Sequence, residues 1–395
     1  MSNKTLKMAN RSVSVLPAAA LASALWTLAT PLHAQNACPT RPYWPTAEWR
    51  SRADTVATSK AAEIQAFEDY AFTLTGKDEE RKGIRTDGVL IVHHGEIIYE
   101  RYARGFTASK RHIAWSVTKS VTNALTGVAV KQGAVALGDS ICMHLDGVPE
   151  DNCGITVQHL LEFSSGLDWA EIYENQSNQA SSVLAMLYGE GRKDMARFVF
   201  KHARRDAPGT TWQYSSGEST LLLGVVGAAM TPQYGENWPW TLLFDRIGAQ
   251  RSAFERDNAG TLAGGSYWMA TLQDYARFGY LFLNDGCWDG ERILPVNWVA
   301  EAQVVPASFK VKRIDEETGT DVNGRLWWLN TPVPEQGLSK PWPDLPDDTY
   351  AALGHWGQRI VVIPSLDLVI ARYGDDREGS VDVNDLVAKA IPIAR

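Results

Sequence analysis

The 395-residue chain predicts an α/β (α+β) fold in which both ends of the chain supply strands to one sheet and a helical region is inserted between them. Three observations predict it. Early in the chain, Asp87-GVLIVHHGEIIYERYA-Arg104 holds two β-rich runs separated by His94-Gly95, which reads as a hairpin with a two-residue turn. Late in the chain, the runs Gln358–Ile363 and Leu366–Tyr373 bracket Pro364-Ser365 in the same manner, and a helix over about Val381–Ala390 closes the chain. From Leu137 to about Asn258 the text is helical and loop-rich, with turn signals at Pro149, Pro208-Gly209 and Pro232.

The other elements follow in order. Residues 35–60 read as irregular and then helical. Ser116–Gln132 carries Val117, Val121, Ala124, Val128 and Ala129 at core spacing, with Gly133 as a stop. Helical text returns at Leu272–Asn284 and Val296–Val304. Residues 306–349 are rich in Pro, Asp and Gly and read as a long surface excursion.

Composition narrows the function classes. Hydrophobic residues make up 45% and charged residues 21%, an ordinary globular balance. The 38 basic residues are outnumbered by 46 acidic ones, for a net charge of −8, which argues against nucleic acid or an anionic membrane surface as a partner. Fifteen tryptophans exceed what a core of this size ordinarily holds and point to an aromatic-lined pocket as well.

The N-terminus reads as an export signal: Lys4, Lys7 and Arg11, no acidic residue before Glu48, an apolar run over about Val13–Thr30, and Ala34 as the cleavage residue. Pro17 and the shortness of the run speak against a membrane anchor, and no apolar triplet precedes Cys38 as a lipoprotein would require. The expected organisation is a signal peptide over 1–34 and one domain over 35–395, with sheet regions at about 60–135 and 350–395 and a helical lobe and excursion over 136–349. The mature protein is expected in the periplasm or secreted, with no membrane association. An even count of four cysteines without a C-x-x-C fits disulfides better than a zinc or redox site. Cys142 and Cys153 bracket a short loop and are the natural pair, leaving Cys38 and Cys287. Adjacent His93 and His94 would point to opposite faces of a strand, so no shared metal is expected, and nothing in the chain calls for a cofactor.

Three short motifs carry the chemistry. In Ser116-Val-Thr-Lys119, serine and lysine lie three apart and share a helix face. A serine hydroxyl is a weak nucleophile until a base takes its proton, and a lysine serves as that base only when burial keeps it neutral. Alone, S-x-x-K is weak evidence, because a solvated lysine on a first helical turn is the ordinary explanation. Trp115 and the apolar helix face make desolvation of Lys119 the better reading. In Pro208-GTTWQ-Tyr214-Ser215-Ser216-Gly217, a turn delivers Tyr214 and Ser216 to the head of the apolar helix LLLGVVGAAM. A tyrosine beside a lysine can shuttle a proton. In Gly354-His355-Trp356-Gly357-Gln358, glycines at a strand edge let a substrate lie against the backbone.

In this order the three motifs resemble the S-x-x-K and K-T-G signature of serine β-lactamases and penicillin-binding proteins, with a tyrosine motif in the middle position. GVLIVHHGEIIYERYA, LLEFSSGLDW, PGTTWQYSSGES, MATLQDYARFGYLFLNDGCWDGERILP and GHWGQ are similar to the class C-like branch that holds 6-aminohexanoate-dimer hydrolases and related esterases, over most of residues 85–375. The resemblance implies a five-stranded antiparallel sheet flanked by helices beside a helical lobe. It implies Ser116 as nucleophile, Lys119 as its base and Tyr214 as proton relay, with the backbone N–H groups of Ser116 and Gln358 as oxyanion hole. It implies substrate contacts from Tyr173, Ser216, His355, Trp356 and Gly357, and a small ester or amide as the substrate.

The departures bear on that substrate. Lactamases and carboxypeptidases have Lys-Thr-Gly where this chain has His355-Trp356-Gly357, and class C lactamases have Asn where this chain has Ser216. Both changes favour an ester or small-amide hydrolase over a β-lactamase or D-Ala-D-Ala carboxypeptidase. A non-catalytic ligand- or murein-binding homologue would be favoured if Ser116, Lys119 or Tyr214 were missing, and all three are present. The chain has no G-x-S-x-G elbow and no H-E-x-x-H. The oligomeric state is not legible.

Overall fold

The structure, a computed structural model, describes residues 1, 37–173, 180–314, 318–377 and 381–395. The expected signal peptide falls on residues outside that set. Cys38–Arg395 form one compact unit. In chain order its principal elements are α1 (Ala61–Ala71), β1 (Thr86–His93), β2 (Glu96–Tyr102), α2 (Val117–Lys131), α3 (Ser216–Tyr234), α4 (Leu272–Leu283), β3 (Val322–Asn323), β4 (Trp328–Leu329), β5 (Tyr350–Gly354), β6 (Gln358–Ile363), β7 (Leu368–Gly374) and α5 (Val383–Ala394). The seven strands form one antiparallel sheet in the order β3-β4-β5-β6-β7-β1-β2.

The two ends of the chain meet in the middle of the sheet. β1 pairs with β7, placing Ile91 opposite Ile370 and Val92 opposite Val369. The β1–β2 turn is the expected one: His94 and Gly95 have φ of 54° and 79°, the left-handed pair that a two-residue hairpin needs. That turn overturns the geometry expected for the histidine pair. His94 leaves the strand conformation, and its ring lies 3.8 Å from that of His93 instead of on the opposite face. Among the described residues no group of three or more His, Cys, Asp or Glu is placed to hold a metal ion.

Helices cover both faces of the sheet, which is why β1 and β7 read as unbroken apolar runs. Leu90 and Val92 join the core formed with α2, α3 and α4. Val89 and Ile91 join a second core under α1 and α5, with Phe67, Leu386 and Val387. α2 is buried all round from Val117 to Ala129, more than its apolar stripe required. Its polar side chains are satisfied by neighbouring backbone: Ser120 donates to the Leu326 carbonyl at 2.7 Å and Thr122 to the Gly264 carbonyl at 2.8 Å.

The excursion at 306–349 is the main correction. Phe309, Trp327, Trp328, Trp342 and Leu345 are buried, and β3 and β4 extend the sheet from five strands to seven. Trp327 packs into one core and Trp328 into the other, the alternation of a strand with both faces covered. The expected helix at Val296–Val304 is shorter, Trp298–Ala302, and β5, which the sequence did not separate from the following turn, pairs with β6. No helix among the described residues is long and apolar enough to cross a membrane.

Both cysteine pairs are bonded, Cys142–Cys153 and Cys38–Cys287. In protein matured under oxidising conditions, non-reducing peptide mapping recovers a Cys142–Cys153 linked peptide. Replacing both residues by serine lowers stability in urea by about 3 kcal/mol or slightly less, the chain-entropy expectation for a loop of 11 residues. Free thiols at both positions would refute the pairing.

Candidate active site

Ser116 is the N-cap of α2, and the residue before it is strained: Trp115 has φ 46°, a left-handed conformation that a bulky side chain rarely adopts. Backbone hydrogen bonds hold this turn, from Val117 N–H to the Ala114 carbonyl at 3.2 Å and from Thr118 N–H to the Trp115 carbonyl at 2.9 Å. Ala114 N–H is fixed in turn by the Trp268 carbonyl at 2.8 Å.

Lys119 lies one turn further along α2 and is buried, with 2% of its surface exposed. Its ammonium donates to Ser116 Oγ at 2.9 Å, to Ser216 Oγ at 2.8 Å and to the Gly265 carbonyl at 2.9 Å, which uses all three of its N–H groups. Burial pulls its pKa down to about 8, while the Glu171 carboxylate opposes the shift. A lysine so placed is partly neutral near neutral pH and can accept a proton from Ser116. The Tyr214 ring centroid lies 4.7 Å from Lys119 Nζ, so the middle motif reaches the first.

Capping explains how the middle motif is delivered. Ser215 is the N-cap of α3, its hydroxyl accepting from Glu218 N–H at 3.0 Å, so Tyr214 and Ser216 flank the helix start. Ser216 is fully buried. Tyr173 joins it: the two hydroxyl oxygens are 2.9 Å apart.

The third motif is a tight turn, His355–Gly357, between β5 and β6. Two glycines show why it fits only here. A Cβ on Gly354 would stand 2.4 Å from the Ala114 carbonyl oxygen and 3.2 Å from Val117 N, so β5 lies directly against the Ser116 turn. Gly357 has φ 89°, and a Cβ there would strike Arg372 Nη1 at 2.2 Å. The Gln358 side chain, fully buried, clamps the turn by donating to the Gly374 carbonyl at 2.6 Å. Arg372 adds a bond to the Gly357 carbonyl at 2.7 Å.

Rings surround Trp115, the residue before Ser116. Trp115 lies 5.3 Å from Trp356, 6.0 Å from His355 and 6.2 Å from Tyr267, centroid to centroid, and His355 stacks on Tyr173 at 5.5 Å. Two clefts meet at Trp115. One, of about 620 Å³, runs past Trp356 toward Arg81, Arg85, Arg104 and His112; the other, of about 470 Å³, runs past Tyr267 toward Tyr188 and Arg192. Trp115 and Trp356 are the tryptophans that line these clefts, whereas Trp169, Trp212, Trp238, Trp268, Trp327 and others are buried in the core.

The sequence model of the beta-lactamase family matches residues 63–390. The chain belongs to the beta-lactamase family. Among family relatives, a 6-aminohexanoate-dimer hydrolase from Paenarthrobacter ureafaciens is 24% identical over 300 residues, 73% of this chain and 72% of that protein. A candidate 6-aminohexanoate-dimer hydrolase from Bacillus anthracis shares the fold with a TM-score of 0.64 at 20% identity, over 78% of this chain and 79% of that one. A D-stereospecific amidohydrolase from Streptomyces shares it with a TM-score of 0.56 at 16% identity, over 83% and 97%. The chain is therefore a β-lactamase-fold hydrolase similar in sequence to a 6-aminohexanoate-dimer hydrolase.

The structure brings Ser116, Lys119, Tyr214, Ser216 and Tyr173 together, with His355 and Trp356 packed about Trp115 and Tyr173 and Gln358 opening β6. Sequence reasoning missed two participants. The Gly265 carbonyl lies on a loop with no motif. Glu171, 2% exposed, accepts from Trp169 Nε1, the Ser216 amide, Ser216 Oγ and Tyr173 Oη. The signal for Glu171 was present in Trp169-Ala-Glu171-Ile-Tyr173, an acidic residue alternating with two aromatics that it bonds.

Proposed function

We propose that the protein is an exported serine hydrolase that cleaves ester or small linear amide bonds through an acyl-enzyme on Ser116. The observation that carries this reading is the 2.9 Å contact between Ser116 Oγ and the buried Lys119 Nζ, whose pKa burial lowers to about 8. Neutral Lys119 takes the hydroxyl proton as Oγ bonds to the substrate carbonyl carbon. The oxyanion that forms is held between the N–H groups of Ser116 and Gln358, worth about 2.7–4 kcal/mol per donor in comparable sites. Collapse expels the alcohol or amine, which takes its proton from Lys119 through Tyr214. Water then attacks the ester on Ser116, giving up a proton to the same base, and the acid product leaves with Ser116 restored.

Tyr173, Ser216, His355, Trp356 and Gly357 bound the substrate in this reading. The two disulfides, together with the Lys4–Ala34 pattern, support export to the periplasm or beyond, with the working domain following Ala34. A fluorophosphonate probe tests the central claim independently of the natural substrate. It adds to Ser116, identified by mass spectrometry of the labelled peptide, and Ser116→Ala is not labelled. Labelling that persists in Ser116→Ala sinks the assignment.

A further inference from the structure

We infer that Glu171 is the positioning residue of this site: its ionised carboxylate, bridged to Lys119 by the Ser216 hydroxyl, holds Ser216 and Tyr173 in place and sets the pH at which Lys119 becomes a base. The inference rests on the serine-hydrolase reading above and adds a residue to it.

The hydrogen bonds argue for the ionised form. Glu171 Oε2 accepts from Trp169 Nε1 at 2.6 Å and from the Ser216 amide at 2.9 Å; Oε1 accepts from Ser216 Oγ at 2.5 Å and from the Tyr173 hydroxyl. Four hydrogen bonds converge on one carboxylate, and two of them come from N–H groups that can only donate. A carboxylate receiving several N–H and O–H bonds is favoured in its charged form. The Ser216 amide is also the first N–H of the 19-residue α3, so the carboxylate sits where the helix dipole favours negative charge.

A buried charge needs a counter-charge. The cation it meets is Lys119, one hydroxyl away: Ser216 gives its own proton to Glu171 and accepts from Lys119 at 2.8 Å. The ammonium's remaining acceptors, Ser116 Oγ and the Gly265 carbonyl, are neutral. Other titratable groups face the cluster differently. Tyr214 presents its ring to Lys119. Tyr173 is held neutral by burial and by Glu171, and His355 stacks on its far side. Glu218, whose pKa burial raises to about 8, accepts from Ser165 N–H and is repelled by the Glu171 charge, which adds to that rise. Glu171 is thus the carboxylate that works against burial to keep Lys119 protonated.

The sign follows. Taking away the negative charge disfavours the ammonium, so Lys119 turns neutral at lower pH. Glu171→Gln therefore moves the acid limb of the pH–rate profile down by about one pH unit or more, the effect of losing an opposite charge within about 6 Å. The plateau falls by about 10- to 100-fold, because the amide cannot hold Ser216 and Tyr173 as the carboxylate does. Glu171→Asp keeps the charge, so its limb stays at the wild-type position while its plateau falls. Ser216→Ala, which removes one acceptor from the ammonium, moves the limb in the same direction as Glu171→Gln and carries the test if that variant does not fold.

The experiment is the second-order rate of fluorophosphonate labelling at Ser116 from pH 5 to 10, for wild type, Glu171→Gln, Glu171→Asp, Ser216→Ala and Glu218→Gln. A lower limb in Glu171→Gln and Ser216→Ala, with Glu171→Asp unmoved, is the expected result. A lower plateau with an unmoved limb in both Glu171→Gln and Ser216→Ala would show a structural role alone and overturn the inference. A limb that moves only in Glu218→Gln would overturn it as well. Wild type that does not label at Ser116 defeats the serine-hydrolase reading itself, a result distinct from either.

Discussion

Replacing Lys119 by methionine or by arginine lowers kcat/KM for a p-nitrophenyl ester by about 1000-fold or more, within the range that a positioned general base contributes. The two variants fail for different physical reasons. Methionine fills the space but has no lone pair able to take the Ser116 proton. Arginine keeps the positive charge and the donors, but its pKa above 12 leaves no neutral form at working pH. In wild type, the pKa of about 8 means that activity rises as pH climbs toward 8 and levels off above it; at pH 7 only about a tenth of Lys119 is neutral. Either variant removes that limb. Methionine also leaves Ser216 Oγ and the Gly265 carbonyl without their donor and Glu171 without its cation, so Lys119→Met is destabilised, and far-UV circular dichroism at the assay temperature separates lost chemistry from lost fold. Near-normal turnover by Lys119→Arg would contradict the general-base role.

The second large effect is substrate preference: kcat/KM for p-nitrophenyl acetate or butyrate exceeds that for a chromogenic cephalosporin by at least about 100-fold, or about 2.7 kcal/mol in transition-state binding. A Lys-Thr-Gly edge would offer an anionic bicyclic lactam a permanent cation and a small hydroxyl. Here the edge is a turn carrying His355 and Trp356. The Trp356 ring lies under the Arg377 guanidinium at 3.6 Å and edge-on to Trp115, so it occupies space in the cleft that begins at Trp115. The cations further along that cleft are already matched: Arg104 pairs with Asp87 at 2.7 Å, Arg81 with Asp375 and Arg85 with Asp78. A carboxylate arriving there must compete with those aspartates. A short acyl ester needs only the Ser116 hydroxyl, its base and two backbone donors. Comparable cephalosporin turnover would mean that the third motif had been misread, and the β-lactamase alternative would replace the esterase reading.

Local periodicity carried much of this protein. Ser116 and Lys119 share a face because any helix places residues three apart together, and the β1–β2 turn followed from the left-handed preference of Gly beside a residue that tolerates it. The order of the three motifs was enough to assign the family, because each is a short run whose spacing survives in the linear text. The strands at both ends were legible from their apolar runs, although the pairing of β1 with β7 joins segments almost 280 residues apart.

The remainder was decided by packing that has no period along the chain. Val322–Asn323 and Trp328–Leu329 are two residues each, too short to show alternation within a Pro-, Asp- and Gly-rich segment. They become strands because the open edge of β5 offers them a ladder and both faces there are covered. The left-handed Trp115 is invisible in sequence, since nothing local favours it; the β-strand packed at Gly354 and the bonds to Ala114 hold it there. Sequence named a serine and its lysine, but not what lowers the lysine's pKa. Burial does that work, while Ser216 Oγ arriving from 97 residues away and the Gly265 carbonyl from 146 residues away accept from the ammonium and, with Glu171, oppose it. Residue types and short spacings determine which groups the chain possesses; the protonation state of a buried pair depends on solvent exclusion and on charges brought within a few ångströms, and only the tertiary structure brings them there.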